Sequence, residues 1–169
     1  MKVIISKDQD SYVTGVIVPA IEKPIEHVAI LSIVELRAEY EKSALDLDEF
    51  IKLNPIGELK IRYNFDIVDK QDLPLFLSAH RYVNNAFVSD MEKAKELQVA
   101  NLRQKRNIKL DKLDKLIMIA ERDTSEALTA LQQYRGKLLD APSVFSTDIA
   151  DVRSVDKLIQ IDLEQYIKE

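Results

Sequence analysis

The chain changes character near residue 89. All but one of its prolines and every strand signal lie before that point, and long helical periodicity follows it. A chain so divided folds as a small mixed unit joined to helices, since periods of 2 and 3.6 residues bury different faces. The expected organisation is α+β. A small strand-rich domain spans residues 1–88, a helical hairpin 89–142, and an extension with a further short helix 143–169.

In the first part, KVIIS (residues 2–6) and YVTGVIV (12–18) are β-branched runs separated by the polar DQD, which predicts a hairpin, with Gly15 marking a bulge. Pro19 and Pro24 bracket a loop. HVAILSIV (27–34) fits a buried strand or a helix equally well. The following ELRAEYEKSALDLDEFIKL favours helix, with Leu36, Tyr40, Leu47 and Ile51 spaced for one face and Asn54-Pro55 and Gly57 ending it. GELKIRYNFDIVD alternates, placing Leu59, Ile61, Tyr63, Phe65 and Ile67 on one side, and is expected to be the strongest strand. RYVNNAFVSD predicts a second hairpin turning at Asn84-Asn85, because asparagine tolerates positive φ. Ser89 or Asp90 then caps the next helix, with Glu92 in its first turn.

From Met91 the pattern is helical. Leu110, Leu113, Ile117 and Ala120 form one stripe, which Leu116 widens. Asp123 with Glu126 three residues later predicts a new helix start near residues 122–124. The second helix places Leu128, Leu131, Tyr134 and Leu138 on one stripe and is expected to close at Pro142. The tail SVDKLIQIDLEQYIKE predicts one more short helix, capped by Ser154 and packing through Val155, Leu158, Leu163 and Tyr166.

Composition excludes several function classes. With 169 residues and 46% apolar content the chain can bury a core. Only three glycines occur, at 15, 57 and 136, too dispersed for a phosphate-cradling loop. There is no cysteine, so thiolate chemistry is absent. No apolar run approaches the ~20 residues of a membrane span, and the N-terminus has too short an apolar run for a signal peptide. A soluble, cytoplasmic or virion-type protein is expected. His27 and His80 have no ligand cluster in sequence, so neither is expected to bind metal. Asp46, Asp48 and Glu49 resemble a calcium-loop fragment but lack its glycine and twelfth-position ligand, and fit an acidic helix start better. No HExxH, Walker, GxGxxG or nucleophile-elbow pattern is present. No cofactor and no enzymatic activity are expected.

One stretch points the other way. LRQKRNIKLDKLDKL (102–116) concentrates Arg103, Lys105, Arg106 and Lys109, as a phosphate-tracking helix would. Yet the chain carries a net charge of −5, and residues 89–123 hold nine basic against seven acidic side chains. Glu96, Asp111 and Asp114 lie within two turns, and no aromatics are interleaved for base stacking. A solvated helix face, without nucleic acid, is the expected reading.

The order of features from Tyr82 to Pro142, about sixty of the 169 residues, resembles the C-terminal region of bacteriophage tail fibre assembly proteins, or tail assembly chaperones. The matching residues are YVNNAFVSD, Arg106-Asn107 with Leu110 and Asp114, then Tyr134-Arg135, Leu138, Asp140 and Pro142. Two departures stand out. The family carries tryptophans after the aspartate and before the Tyr-Arg pair where this chain has none, and 27 residues follow Pro142. The resemblance implies a non-enzymatic factor that binds a tail fibre or receptor-binding protein and assists its folding or assembly. A structural component of the baseplate or tail tip, contacting other baseplate subunits, is the alternative, and a homo-oligomer is compatible with either. The residues expected to meet a partner are Leu110, Leu113, Ile117, Tyr134, Arg135 and Leu138, unless the stripe packs within its own chain.

Overall fold

The computed structural model of the chain describes residues 1–20, 23–123 and 127–167, with Arg122 and Asp123 described in backbone only. It divides into two compact units, Met1–Ser89 and Asp90–Glu169, and the class is α+β.

In the first unit, β1 (Lys2–Lys7) is the central strand of a three-stranded antiparallel sheet, flanked by β2 (Val13–Ile17) and β3 (Phe65–Asp69). The predicted β1–β2 hairpin forms. Its register slips between Ser6 and Lys7, leaving Thr14 as the extra residue beside Gly15. Both faces of β1 are buried. Ile4 joins Ala29, Ile30, Leu36, Phe50, Leu59 and Phe65 in one core, while Val3 and Ile5 join Val13 and Val68 in another. The first core is covered by α1 (Ile25–Ser32), α2 (Val34–Ser43), α3 (Leu47–Leu53) and α4 (Ile56–Arg62). The second is closed by Leu73, Leu77, Tyr82 and Phe87.

Helix therefore resolves the ambiguity of HVAILSIV. The helical segment after it is two helices rather than one, because Ala44 adopts a left-handed conformation (φ 55°) and Asp46 recaps the chain, its carboxylate accepting from the Glu49 N–H at 2.8 Å. The acidic triplet is thus a helix start.

One strand expectation is wrong. Residues 57–62 are helical, and only Phe65–Asp69 is strand. Ile56, Leu59 and Tyr63 lie three and four residues apart, so a helix buries Leu59 as well as a strand would, and leaves Ile61 81% exposed. Pro55 sets the helix entry, and Asn64 (φ 48°) ends the helix by turning the chain into β3.

The second predicted hairpin is present: β4 (His80–Val83) and β5 (Ala86–Ser89) turn through Asn84 and Asn85, both at positive φ.

The second unit is built on α5 (Met91–Asp123) and α6 (Ala127–Asp151), which form the expected helical hairpin. Asp90 caps α5, its carboxylate accepting from the Lys93 N–H at 3.0 Å. The Asp123–Glu126 capping pair lies outside the described side chains. Pro142 does not close the second helix; α6 runs through it to Asp151. An interior proline costs about 3 kcal/mol, but Leu138, Ala141, Phe145 and Ile149 continue one buried stripe across it. Burying Phe145 and Ile149 contributes about 1.5–3 kcal/mol each, enough to carry the helix past the break. The Ser143 hydroxyl donates to the Asp140 carbonyl at 2.7 Å.

The tail holds two short helices instead of one, α7 (Val155–Leu158) packing on α5 and α8 (Glu164–Ile167) on α6. Ser154 occupies the cap position but makes no side-chain cap bond. Leu158, Leu163 and Ile167 are buried, so the tail helices pack against the helical unit.

Candidate partner-binding face of the helical unit

The six residues expected to meet a partner divide by burial. Leu113, Ile117 and Leu138 are buried and Leu110 is half-buried, so this stripe packs within its own chain. Leu116 does not widen the stripe; it is 52% exposed. At 100° per residue it falls on the flank of the face centred on Leu113 and Ile117.

Two of the residues that carry the resemblance, Asp114 and Arg135, meet across the hairpin. The Arg135 guanidinium donates from Nε to Asp114 Oδ1 at 2.7 Å, joining the aspartate of α5 to the Tyr-Arg pair of α6. That carboxylate raises the guanidinium's pKa further. Half-buried Tyr134 helps, after Glu164, to raise the Lys109 pKa.

The basic cluster of α5 is engaged from an unexpected direction. Lys105 Nζ donates to Asp162 Oδ1 at 3.0 Å, and Lys109 Nζ pairs with Glu164 Oε1 at 2.7 Å. Asp114 faces Arg135, and Glu96 pairs with Lys93. Neutralisation thus comes mainly from the tail, more than fifty residues away in sequence, and not from the nearby acids. The contact with Lys105 holds the Asp162 carboxyl below its ordinary value, and Glu164 raises Lys109. About two turns before these pairs on α5, the buried Gln98 donates from Nε2 to the Ile161 carbonyl at 2.7 Å. Lys95 donates to the Ala150 carbonyl at 2.9 Å.

A groove of about 600 Å³ runs beside these contacts, floored by Val99, Ala100, Ile149 and Ala150, with Glu92, Glu96 and Arg103 along its rim. Towards the end of α5, Leu116, Met118 and Ile119 are 52–60% exposed. These three, rather than the buried stripe, are the large apolar side chains that α5 leaves open near the hairpin turn. The run LIMIA carries the signal in sequence, since five consecutive apolar residues exceed what one helix face can bury.

Neither histidine sits in a ligand cluster. His27 Nε2 faces Asp48 Oδ1 at 3.0 Å, and buried His80 has its Nδ1 3.1 Å from the Phe76 carbonyl. Among the described residues no three acidic or histidine side chains converge as a metal site would require, and no helix is long and apolar enough to cross a membrane.

One titration follows from this packing. Burial, then a hydrogen bond to Asp148, pushes the Tyr166 phenol up to about 12. A tyrosine held neutral in the fold contributes stability that is fully present below its unfolded value of 10 and is lost as pH rises through the folded value. The helical unit should therefore lose stability between about pH 10 and 12, and Tyr166→Phe should remove that part of the loss. Thermal melts of both proteins across this range, followed by circular dichroism, check it.

No family model, curated protein or solved structure matches the chain.

Proposed function

We propose that the protein is a non-enzymatic, phage tail-related assembly factor that binds a tail fibre or receptor-binding protein and assists its folding or assembly in the host cytoplasm. The observation that carries this reading is the Asp114–Arg135 pair. Two short motifs that resemble those of tail fibre assembly proteins lie on different helices and join at one level of the hairpin. The open apolar end of α5, with Leu116, Met118 and Ile119, supports a role in meeting another protein, since exposed apolar clusters mark interaction sites. The engagement of Lys105 and Lys109 by the tail argues against a phosphate-tracking role for the basic cluster.

Co-purification tests the binding. The tagged full chain, expressed with the fibre subunit of the same phage, should retain that subunit through affinity purification. Loss of the subunit at the first wash would sink the reading. The alternative, a baseplate or tail-tip component, is distinguished by mass spectrometry of purified virions, in which an assembly factor is absent and a structural subunit present.

A further inference from the structure

We propose that residues 155–167 are an exchangeable occupant of a peptide-recognition face on the α5–α6 hairpin, and that this face admits an acidic amphipathic segment of the partner in their place. The proposal rests on the assembly-factor reading for the identity of the partner. The recognition chemistry stands apart from it.

Face and occupant together supply the three components of peptide recognition. Gln98, only 3% exposed, donates to the main-chain carbonyl of Ile161, in the stretch between α7 and α8. A buried amide aimed at a carbonyl recognises backbone and accepts many side chains at that position. Lys105 and Lys109 then read carboxylates at the next residue and two beyond it, Asp162 and Glu164. Leu158, Leu163 and Ile167, each at most 3% exposed, are the apolar anchors. Helix-in-groove recognition combines the same elements, apolar anchors seated in a groove and charge at its rim.

Two features make the occupant exchangeable. Helices α7 and α8 are four residues each, far below the length at which a helix holds itself together, so their order comes from the face they lie on. The two ion pairs that help to hold them are roughly half exposed, where salt screens them readily. Charge complementarity favours an occupant more acidic than the tail. Arg106, next to Lys105 on α5, donates to Asn107 Oδ1 and has no carboxylate partner among the described residues.

The probe is a fluorescent peptide with the sequence of residues 155–167, titrated into the full chain and followed by anisotropy. Wild type, D162K/E164K and K105E/K109E are compared, each first shown to be folded by circular dichroism. D162K/E164K weakens its own tail while keeping the lysines, so it should bind the peptide at least about tenfold more tightly than wild type, because a larger fraction of its face is open. Added salt should weaken that binding, and K105E/K109E should gain nothing. Folded D162K/E164K that binds no more tightly than wild type overturns the proposal. A wild-type dimer that exchanges this segment between copies also overturns it, because the occupant would then be a second copy.

Hydrogen exchange on the wild-type chain covers the case in which D162K/E164K does not fold. Amides of residues 158–167 should exchange at least about tenfold faster than those of α5 around Leu102 and Leu113. Equal protection overturns the proposal. Peptide exchange without fibre binding would leave the face intact and remove only the tail-related reading, whereas fibre binding without exchange would do the reverse.

Discussion

Phe145→Ala should lower the thermal midpoint of the helical unit by on the order of 20 °C. Phe145 is fully buried in α6, three residues after Pro142, and its ring meets Tyr166 of α8 edge-on at 5.9 Å. Truncating a buried phenylalanine costs about 3–5 kcal/mol, and in a domain of this size each kcal/mol moves the midpoint by about 4–8 °C. The substitution removes the anchor of the tail together with the packing that offsets the interior proline. Both effects act in the same direction. Val144→Ala, one residue away and 51% exposed, is the control and should change stability by less than about 0.5 kcal/mol. Melts of the two variants check the contrast. Equal midpoints would mean that the stripe across Pro142 is not what holds α6 together.

Phe65→Ala should be as damaging to the first unit. Phe65 opens β3, is fully buried, and packs with Ile4, Leu36, Phe50 and Leu59 where sheet and helices share a core. The expected loss is again about 3–5 kcal/mol, a large part of a typical domain's 5–15 kcal/mol. Hydrogen exchange locates it. Protection should fall in β1, β3 and α4 in Phe65→Ala, and in α5 and α6 in Phe145→Ala.

These two residues also show what the sequence could reveal. Phe65 is legible as a core strand residue, but alternation carries the strand too far towards the N-terminus. Leu59 and Tyr63 fit both periods, and the deciding residue was Ile61, which alternation would bury and the helix exposes. The Asn84-Asn85 turn, the β1–β2 hairpin and the cap at Asp90 were all readable because each depends on neighbours in sequence. Pro142 misled for the opposite reason. Its local cost is real, but the continuation of α6 depends on packing by Phe145 and Ile149 that propensity does not register.

The candidate site was harder to read than the fold. The leucine stripe was visible, but a stripe does not say whether its cover comes from the same chain or another; here Leu113, Ile117 and Leu138 are covered from within. The basic cluster looked like a surface feature with nearby acids to balance it. Its main partners are Asp162 and Glu164, and no local pattern links residues so distant in the chain. Gln98 carried no signal, because a glutamine becomes a recognition group only once burial aims it at a carbonyl.

The most direct test of the central claim is the yield of assembled fibre. On the proposed reading, a tail fibre subunit should be produced with and without this protein, and its assembled oligomer resolved by size-exclusion chromatography with light scattering. If the protein is an assembly factor, soluble oligomer predominates in its presence and monomer or aggregate in its absence. The same yield of assembled oligomer under both conditions would contradict that reading.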